Sequence, residues 1–355
     1  MAISLDLMKE ITEAAGLPGY EGEIRSLMGK YLGSGAAVET DRLGNVIACK
    51  EGTSARPRIM LAAHMDEIGF MVKSITEEGF LKFQTLGGWW EQVMLAQRVV
   101  VKGRFGDIPG VIGSKPPHVL TEDERKKVVK KEDMYIDIGV ANKAEAEAKG
   151  VTPGDPVIPV CPFTPLANEQ YLMAKAWDDR FGCLVLIEVI QALKDIPHPN
   201  TVYAVGTVQE EVGLRGATTS AFGIDPDIGL ALDVTIAADT PGLKGGQLQA
   251  RLGGGPAVLL YDASMIPHLG LRNFVLDVAR EEGLPVQLDA LERGGTDAGR
   301  IHLARRGVPS LVICAPTRYI HSHASVLHRN DLENAVKLLL AIIRRLDEKA
   351  LARLL

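Results

Sequence analysis

The chain has 355 residues, 46% of them hydrophobic and 24% charged, with a formal net charge of −6. This ordinary composition excludes a disordered chain, and the interspersed, slightly acidic charge removes the basic footprint of a nucleic-acid binder. No run reaches the roughly eighteen uninterrupted apolar residues of a membrane span, and the length calls for two domains or one domain with a large insert.

From Met1 to Glu10 apolar and charged residues alternate. Neither a basic leader nor a long apolar stretch is visible, so no secretory signal is predicted and a cytoplasmic location is expected. Arg58 to Ala63 forms an apolar run that stops on His64, within HMDE (64–67), and reads as a buried strand. Beyond it the texture changes. Phe80 to Thr85, Arg98 to Lys102, Met134 to Val140 and Pro156 to Val160 are short β-like runs, punctuated by Gly87-Gly88, Pro109-Gly110, Pro116-Pro117 and Pro153-Gly154. Glu122 to Lys131 is a mixed-sign, solvated surface segment. A small β-barrel-like domain over 69–163 is expected, inserted into a discontinuous domain of 1–68 and 164–355.

Past WDDR (177–180), Asp179 to Ile196 carries apolar residues at a helical period. Val202 to Val208 then runs as a strand into Glu210, and Ile228 to Leu232 runs into Asp233. Asp331 to Leu355 is again helical in period. Strands alternating with helices predict an α/β fold, an open doubly wound sheet with helices on both faces. In such sheets ligands bind beyond the carboxyl ends of the strands, where His64, Glu210, Glu211 and Asp233 all fall. The four cysteines, Cys49, Cys161, Cys183 and Cys314, are far apart and read as buried small side chains.

There is no G-x-S-x-G elbow, H-E-x-x-H helix or Walker A loop. What remains is a scatter of acids and histidines at element ends: HMDE, WDDR, QEE (209–211), LDV (232–234) and IHSH (320–323). Nitrogen and carboxylate donors without thiolate suit zinc, cobalt or manganese, and a two-ion site needs about this many ligands plus a separate base. Each residue also has a plain structural reading. A histidine after a strand can be a satisfied polar group, Asp178 can cap the helix that follows, and Asp233 can cap a turn. The Glu210-Glu211 pair is harder to explain that way, because adjacent carboxylates after an apolar strand repel unless a cation or shared proton relieves them. Asp66, two residues after His64, suits an orienting partner for a ligating imidazole. His118, His198, His268, His302 and His328 are read as surface or structural residues, and Trp89-Trp90 as packing or interface.

AAHMDEIGF (62–70), GVIGSKPPH (110–118), AWDDRFG (176–182), VQEEVGLRGA (208–217), ALDVTIAADTPG (231–242), GGTDAG (294–299) and RYIHSH (318–323) stand in this order along nearly the whole chain. In these segments the chain resembles the tetrahedral (TET) and glutamyl aminopeptidases, dinuclear metallopeptidases some of whose members carry cellulase labels. The resemblance implies hydrolysis of amino-terminal residues from peptides, with two divalent ions, zinc or cobalt and alternatively manganese. It implies that His64 and Asp233 hold one ion, Glu211 and His321 the other, and that Asp178 rather than Asp179 bridges them. His321 is preferred over His323. Glu210 becomes the general base, and Asp66 orients His64. The inserted β domain is implied to dimerise, and the dimers to assemble into a hollow tetrahedral homododecamer taking peptide substrates, with no nucleic acid or membrane partner.

Two alternatives remain at this point. A metal-independent β-glucan hydrolase would also need paired carboxylates, but has no use for two histidines at ligand positions and wants more sugar-stacking aromatics. A non-catalytic binding relative would be expected to have lost some of these residues. Preference for the first side chain would be set by loops such as Ala237 to Gly255 and GGTDAG.

Overall fold

A computed structural model describes residues 3–243 and 249–355. Its centre is an 11-stranded sheet whose main path runs Ala37–Thr40, Val46–Lys50, Thr201–Thr207, Arg58–His64, Ile228–Ile236, Ser310–Arg318, Ser325–His328, Tyr171–Ala174 and Thr164–Pro165. The four central strands, from Thr201–Thr207 to Ser310–Arg318, are parallel to one another. The flanking strands are antiparallel.

Alternation along each central strand sends side chains to two different cores. In Arg58–His64, Ile59, Leu61 and Ala63 join the larger core, whereas Met60 and Ala62 meet Ala217, Ala221 and Ile301 on the other face. Helices therefore cover both sides, which is the doubly wound arrangement. On the larger core lies the helix Trp177–Ala192, which buries every residue except Asp178, Glu188 and Gln191. A helix apolar all round must sit inside the protein, and this one lies between the sheet and the helices Leu5–Glu13, Gly22–Gly33 and Arg329–Arg345. Its predicted extent to Ile196 is four residues too long, and its first turn is irregular at Asp178 and Asp179.

The tail is two helices, not one. Arg329–Arg345 ends at Leu346, and Asp347 starts a second helix, Glu348–Leu354, by accepting a hydrogen bond from the Ala350 amide.

The insert forms a closed barrel, in the order Gly69–Ile75, Leu81–Leu86, Tyr135–Asp137, Gly106–Gly113, Arg98–Gly103 and Pro156–Pro159. Phe70, Val72, Leu81, Val101, Ile136 and Val157 fill it. Two details differ from the sequence reading. Pro109-Gly110, read as a break, lies within a strand: the second neighbour pairs only with residues 111–113, so Pro109 needs no donor on that side. The strand expected over Met134 to Val140 shrinks to Tyr135–Asp137, because Gly139 adopts φ 75° and donates to Asp137. Cys183 and Cys314 are buried, but Cys49 and Cys161 are only half-buried. Among the described residues no helix is long and apolar enough to cross a membrane.

Candidate metal centre

The parallel strands deliver their last residues to one edge. His64 ends its strand and pairs with Thr207, which leads into residues 209–211. Two residues beyond the paired Ala231 and Ala62 come Asp233 and His64. The Asp66 carbonyl lies 2.8 Å from His64 Nδ1 and accepts its proton, so Nε2 is left free as a donor atom toward the cluster, 3.0 Å from Asp178 Oδ1.

Asp178 and Asp179 face different ways across a cis peptide. Asp179 accepts from the Gly182 amide at 2.9 Å and the His64 amide at 3.2 Å, so the helix-capping role considered for Asp178 belongs to its neighbour. Asp178 turns to the cluster. Its Oδ1 faces His64, and its Oδ2 lies 3.4 Å from Nε2 of His321, which itself lies 3.6 Å from Glu211 Oε1. Two triads result, His64–Asp178–Asp233 and Asp178–Glu211–His321, each with donor atoms within 4.8 Å of one another. They share Asp178. His323 lies elsewhere, packed edge-on against Trp89 at 5.1 Å between centroids, its ring nitrogens without partners.

Glu210 stands beside both triads, 8% exposed. Asp66, fully buried, contacts His64 by its carbonyl, while its carboxylate sits 3.8 Å from the ring and is occupied elsewhere. It accepts the Glu210 amide at 2.9 Å and the Glu211 amide at 3.0 Å. Asp66 thus orients His64 through its main-chain carbonyl, while its side chain fixes the glutamate pair.

The charge balance tests whether a cation fits. Burial and the Asp178 charge push the Glu211 carboxyl up to about 7. Burial likewise raises Asp233 and Glu210, with Asp178 adding to the first, and Asp233 and Glu211 to the second. Asp178 goes the other way: burial raises it, but hydrogen bonds from the imidazoles of His321 and His64, when these are protonated rather than ligating, outweigh this and hold it well below the carboxylate range. Glu211 Oε1 is buried without a hydrogen-bond partner. So many buried carboxylates facing two imidazoles can be accommodated only by protonation or by cations. An all-nitrogen-and-oxygen donor set suits zinc, cobalt or manganese, so the residues present fit divalent ions.

Several residues of this region were not singled out as site residues in the sequence. The cavity over the triads, about 310 Å³, is also lined by Gly88, Gly213, Leu214, Gly294 and Gly295. Gly87 and Gly88 reach in from the barrel: a Cβ on Gly88 would lie 2.8 Å from His321 Nδ1, and one on Gly87 3.0 Å from Glu211 Oε2. Asp297, inside GGTDAG, is buried with one oxygen bonded to the Thr207 hydroxyl at 2.5 Å and the other unpartnered. Burial pushes it up to about 6. A larger cleft of about 770 Å³ lies on the barrel among Lys82, Lys115, Lys130 and Tyr135, away from any such cluster.

Residues 44–338 match the family model described as M42 glutamyl aminopeptidase. The chain is 38% identical over 353 residues to a glutamyl aminopeptidase of Lactococcus lactis subsp. cremoris, covering 98% of each. It superposes with a TM-score of 0.97 on the TET aminopeptidase of the marine-sediment archaeon Thaumarchaeota archaeon SCGC AB-539-E09, at 49% identity over 99% of this chain and 98% of that one. With the TET1 peptidase of Pyrococcus horikoshii, which can assemble into a tetrahedron or a large octahedral shell, the TM-score is 0.87 at 36% identity, over 96% and 99% of the two chains. The chain therefore belongs to the M42 glutamyl aminopeptidase family, and is a metal-dependent hydrolase of amino-terminal residues from peptides.

Proposed function

We propose that this aminopeptidase works through a two-cation centre in which His64 and Asp233 hold one ion, Glu211 and His321 the other, and Asp178 serves both. The observation that carries the proposal is the division of labour at Asp178, whose two oxygens face the two triads separately. Zinc, cobalt and manganese all accept this donor set. When bound, such ions polarise the scissile carbonyl and acidify a water.

The chain's own residues do the rest. Asp178, which its imidazole partners keep ionised, sets the separation of the triads. The Asp66 carbonyl fixes the His64 tautomer so that Nε2 points inward. Glu210 lines the same cavity as both triads and serves as general base, taking a proton from the attacking water and returning it to the departing amine. Gly88, Leu214, Gly294 and Gly295 leave room for the substrate's first residue.

The test is Glu210→Gln. Turnover is expected to fall by roughly 10³-fold, within the range for removing a general base, with metal content and assembly unchanged. Near-wild-type peptidase activity would remove Glu210 from this role. The β-glucan alternative has no support from the family, and a site with every donor in place gives no reason to read the chain as non-catalytic.

The unit 69–163 is proposed as the dimerisation element, supported by apolar side chains that the barrel exposes at Phe105 (72%) and Val119 (61%). Assembly of dimers into a tetrahedral homododecamer, inside the cytoplasm and limiting substrates to peptides that can enter, goes with it. Sizing the protein in solution tests this, and a fully active monomer would reject it.

A further inference from the structure

Glu21 stands immediately before the helix Gly22–Gly33 and makes no capping bond to it. The residue is buried, 5% exposed, and its carboxylate reaches the segment that follows the strand Thr201–Thr207. There Glu21 Oε1 accepts the Gln209 amide at 3.1 Å, while also accepting the Gly19 amide at 2.9 Å. The next two amides, those of Glu210 and Glu211, go to the two oxygens of Asp66. Three consecutive main-chain N–H groups are thus held by buried carboxylates from two segments distant in sequence. Consecutive amides aimed the same way form a concavity of positive potential suited to anions, and here the anions belong to the protein. Gln209 takes a left-handed φ of 56°, a conformation that a side chain enters at a cost and that the surroundings must maintain.

What this unit positions follows from Glu210. Among the described residues its carboxylate receives no hydrogen bond; only its main chain is tied, the amide donating to Asp66 and the carbonyl accepting from the amides of Gly213 and Leu214. Its aim is therefore set by the backbone at 209–211. We infer that Glu21 is a positioning residue for the reaction: by pinning the Gln209 amide beside the Asp66 clamp, it holds the main chain that aims the Glu210 carboxylate into the cavity. The inference rests on the reading of Glu210 as the base. Glu21 touches neither the triads nor the cavity lining, and is not a catalytic residue.

The test is a double-mutant cycle on the metal-loaded full-length enzyme, with Glu21→Ala, Glu21→Gln, Glu210→Gln and Glu21→Ala/Glu210→Gln. Displacing a reacting group by about 1 Å can cost on the order of 10²-fold, so Glu21→Ala is expected to lower kcat by roughly 10- to 100-fold. KM and bound metal should stay within about twofold of wild type. Glu21→Gln retains a carbonyl oxygen at Oε1 and is expected to recover most of the loss. In the Glu210→Gln background the Glu21→Ala change is expected to cost nothing further, because the group it aims is already disabled. Wild-type kcat in Glu21→Ala overturns the inference, as does a loss that multiplies with Glu210→Gln or that accompanies loss of metal or of folded protein. Failure of the base assignment registers separately, as an active Glu210→Gln single variant.

Discussion

Gly88→Ala isolates the contribution of the barrel to the metal centre. The backbone at Gly88 is not left-handed, so alanine costs nothing there in φ. The new methyl would sit 2.8 Å from His321 Nδ1 and 3.1 Å from Cε1. Ordinary contacts begin near 3.4 Å, so the imidazole must shift by more than half an ångström from the position that puts its Nε2 3.4 Å from Asp178 Oδ2 and 3.6 Å from Glu211 Oε1. It can do so without unfolding anything, because the His321 side chain is 42% exposed. Disturbing the residues that orient a ligand typically costs 10- to 100-fold in metal affinity or activity. The expected result is a loss of that size in affinity for one of two ions, with the other ion and the unfolding midpoint unchanged. Titrating apo protein with zinc or cobalt while following bound metal and peptidase activity measures it. Gly29→Ala, on a helix surface with nothing within 4 Å, is the control and should bind metal normally. Two sites of wild-type affinity in Gly88→Ala would refute the reasoning.

Dialysis against a chelator is expected to abolish peptidase activity, and zinc, cobalt or manganese to restore it; activity surviving complete metal removal would contradict the two-cation centre. Lys175 Nζ lies 2.5 Å from Glu67 Oε1 and donates to the Ala14 carbonyl, both charged groups being buried. Lys175→Met leaves Glu67 with only Arg180 at 3.6 Å and should destabilise by ~3–5 kcal/mol in urea unfolding; a loss below ~1 kcal/mol would show the pair to be dispensable. Burial pushes His323 down from its ordinary 6.5 to about 4. Between those values the unfolded chain binds the extra proton, so this residue's contribution to stability is complete above pH 6.5 and is lost as pH falls toward 4. The unfolding midpoint of wild type should fall relative to that of His323→Phe as pH is lowered from 7 toward 4, and parallel curves would contradict this.

The strands that carry the centre were legible because buried parallel strands leave unbroken apolar runs, and a polar residue at the end of such a run can face only the sheet edge. That is why His64, Glu210, Glu211 and Asp233 could be placed together before any coordinates. The choice between Asp178 and Asp179 was not legible in spacing. Both begin the same helix, and which one caps it depends on a carboxylate reaching the Gly182 amide. Glu21 was invisible for a related reason: nothing in its local sequence marks it, and its partner Gln209 lies 188 positions away. Gly87-Gly88 was noticed only as turn punctuation. A glycine kept for close approach looks the same in sequence as one kept for flexibility, until the approaching group is known. The barrel strand through Pro109 was missed because proline breaks ladders only where a partner waits on its donor side.

The helix Trp177–Ala192 is buried nearly throughout, and Asp178 stands at its start. Local opening free energies scale with such burial, so this helix and the central strands open only when the whole domain does. His64, Asp178 and Asp233 belong to that slow-exchanging unit. His321 comes from a connection after Ser310–Arg318 and is exposed, so it can leave and return on its own. The two triads of the proposed centre therefore differ in how freely their ligands move. His64, Asp178 and Asp233 keep their mutual geometry through fluctuations that move His321.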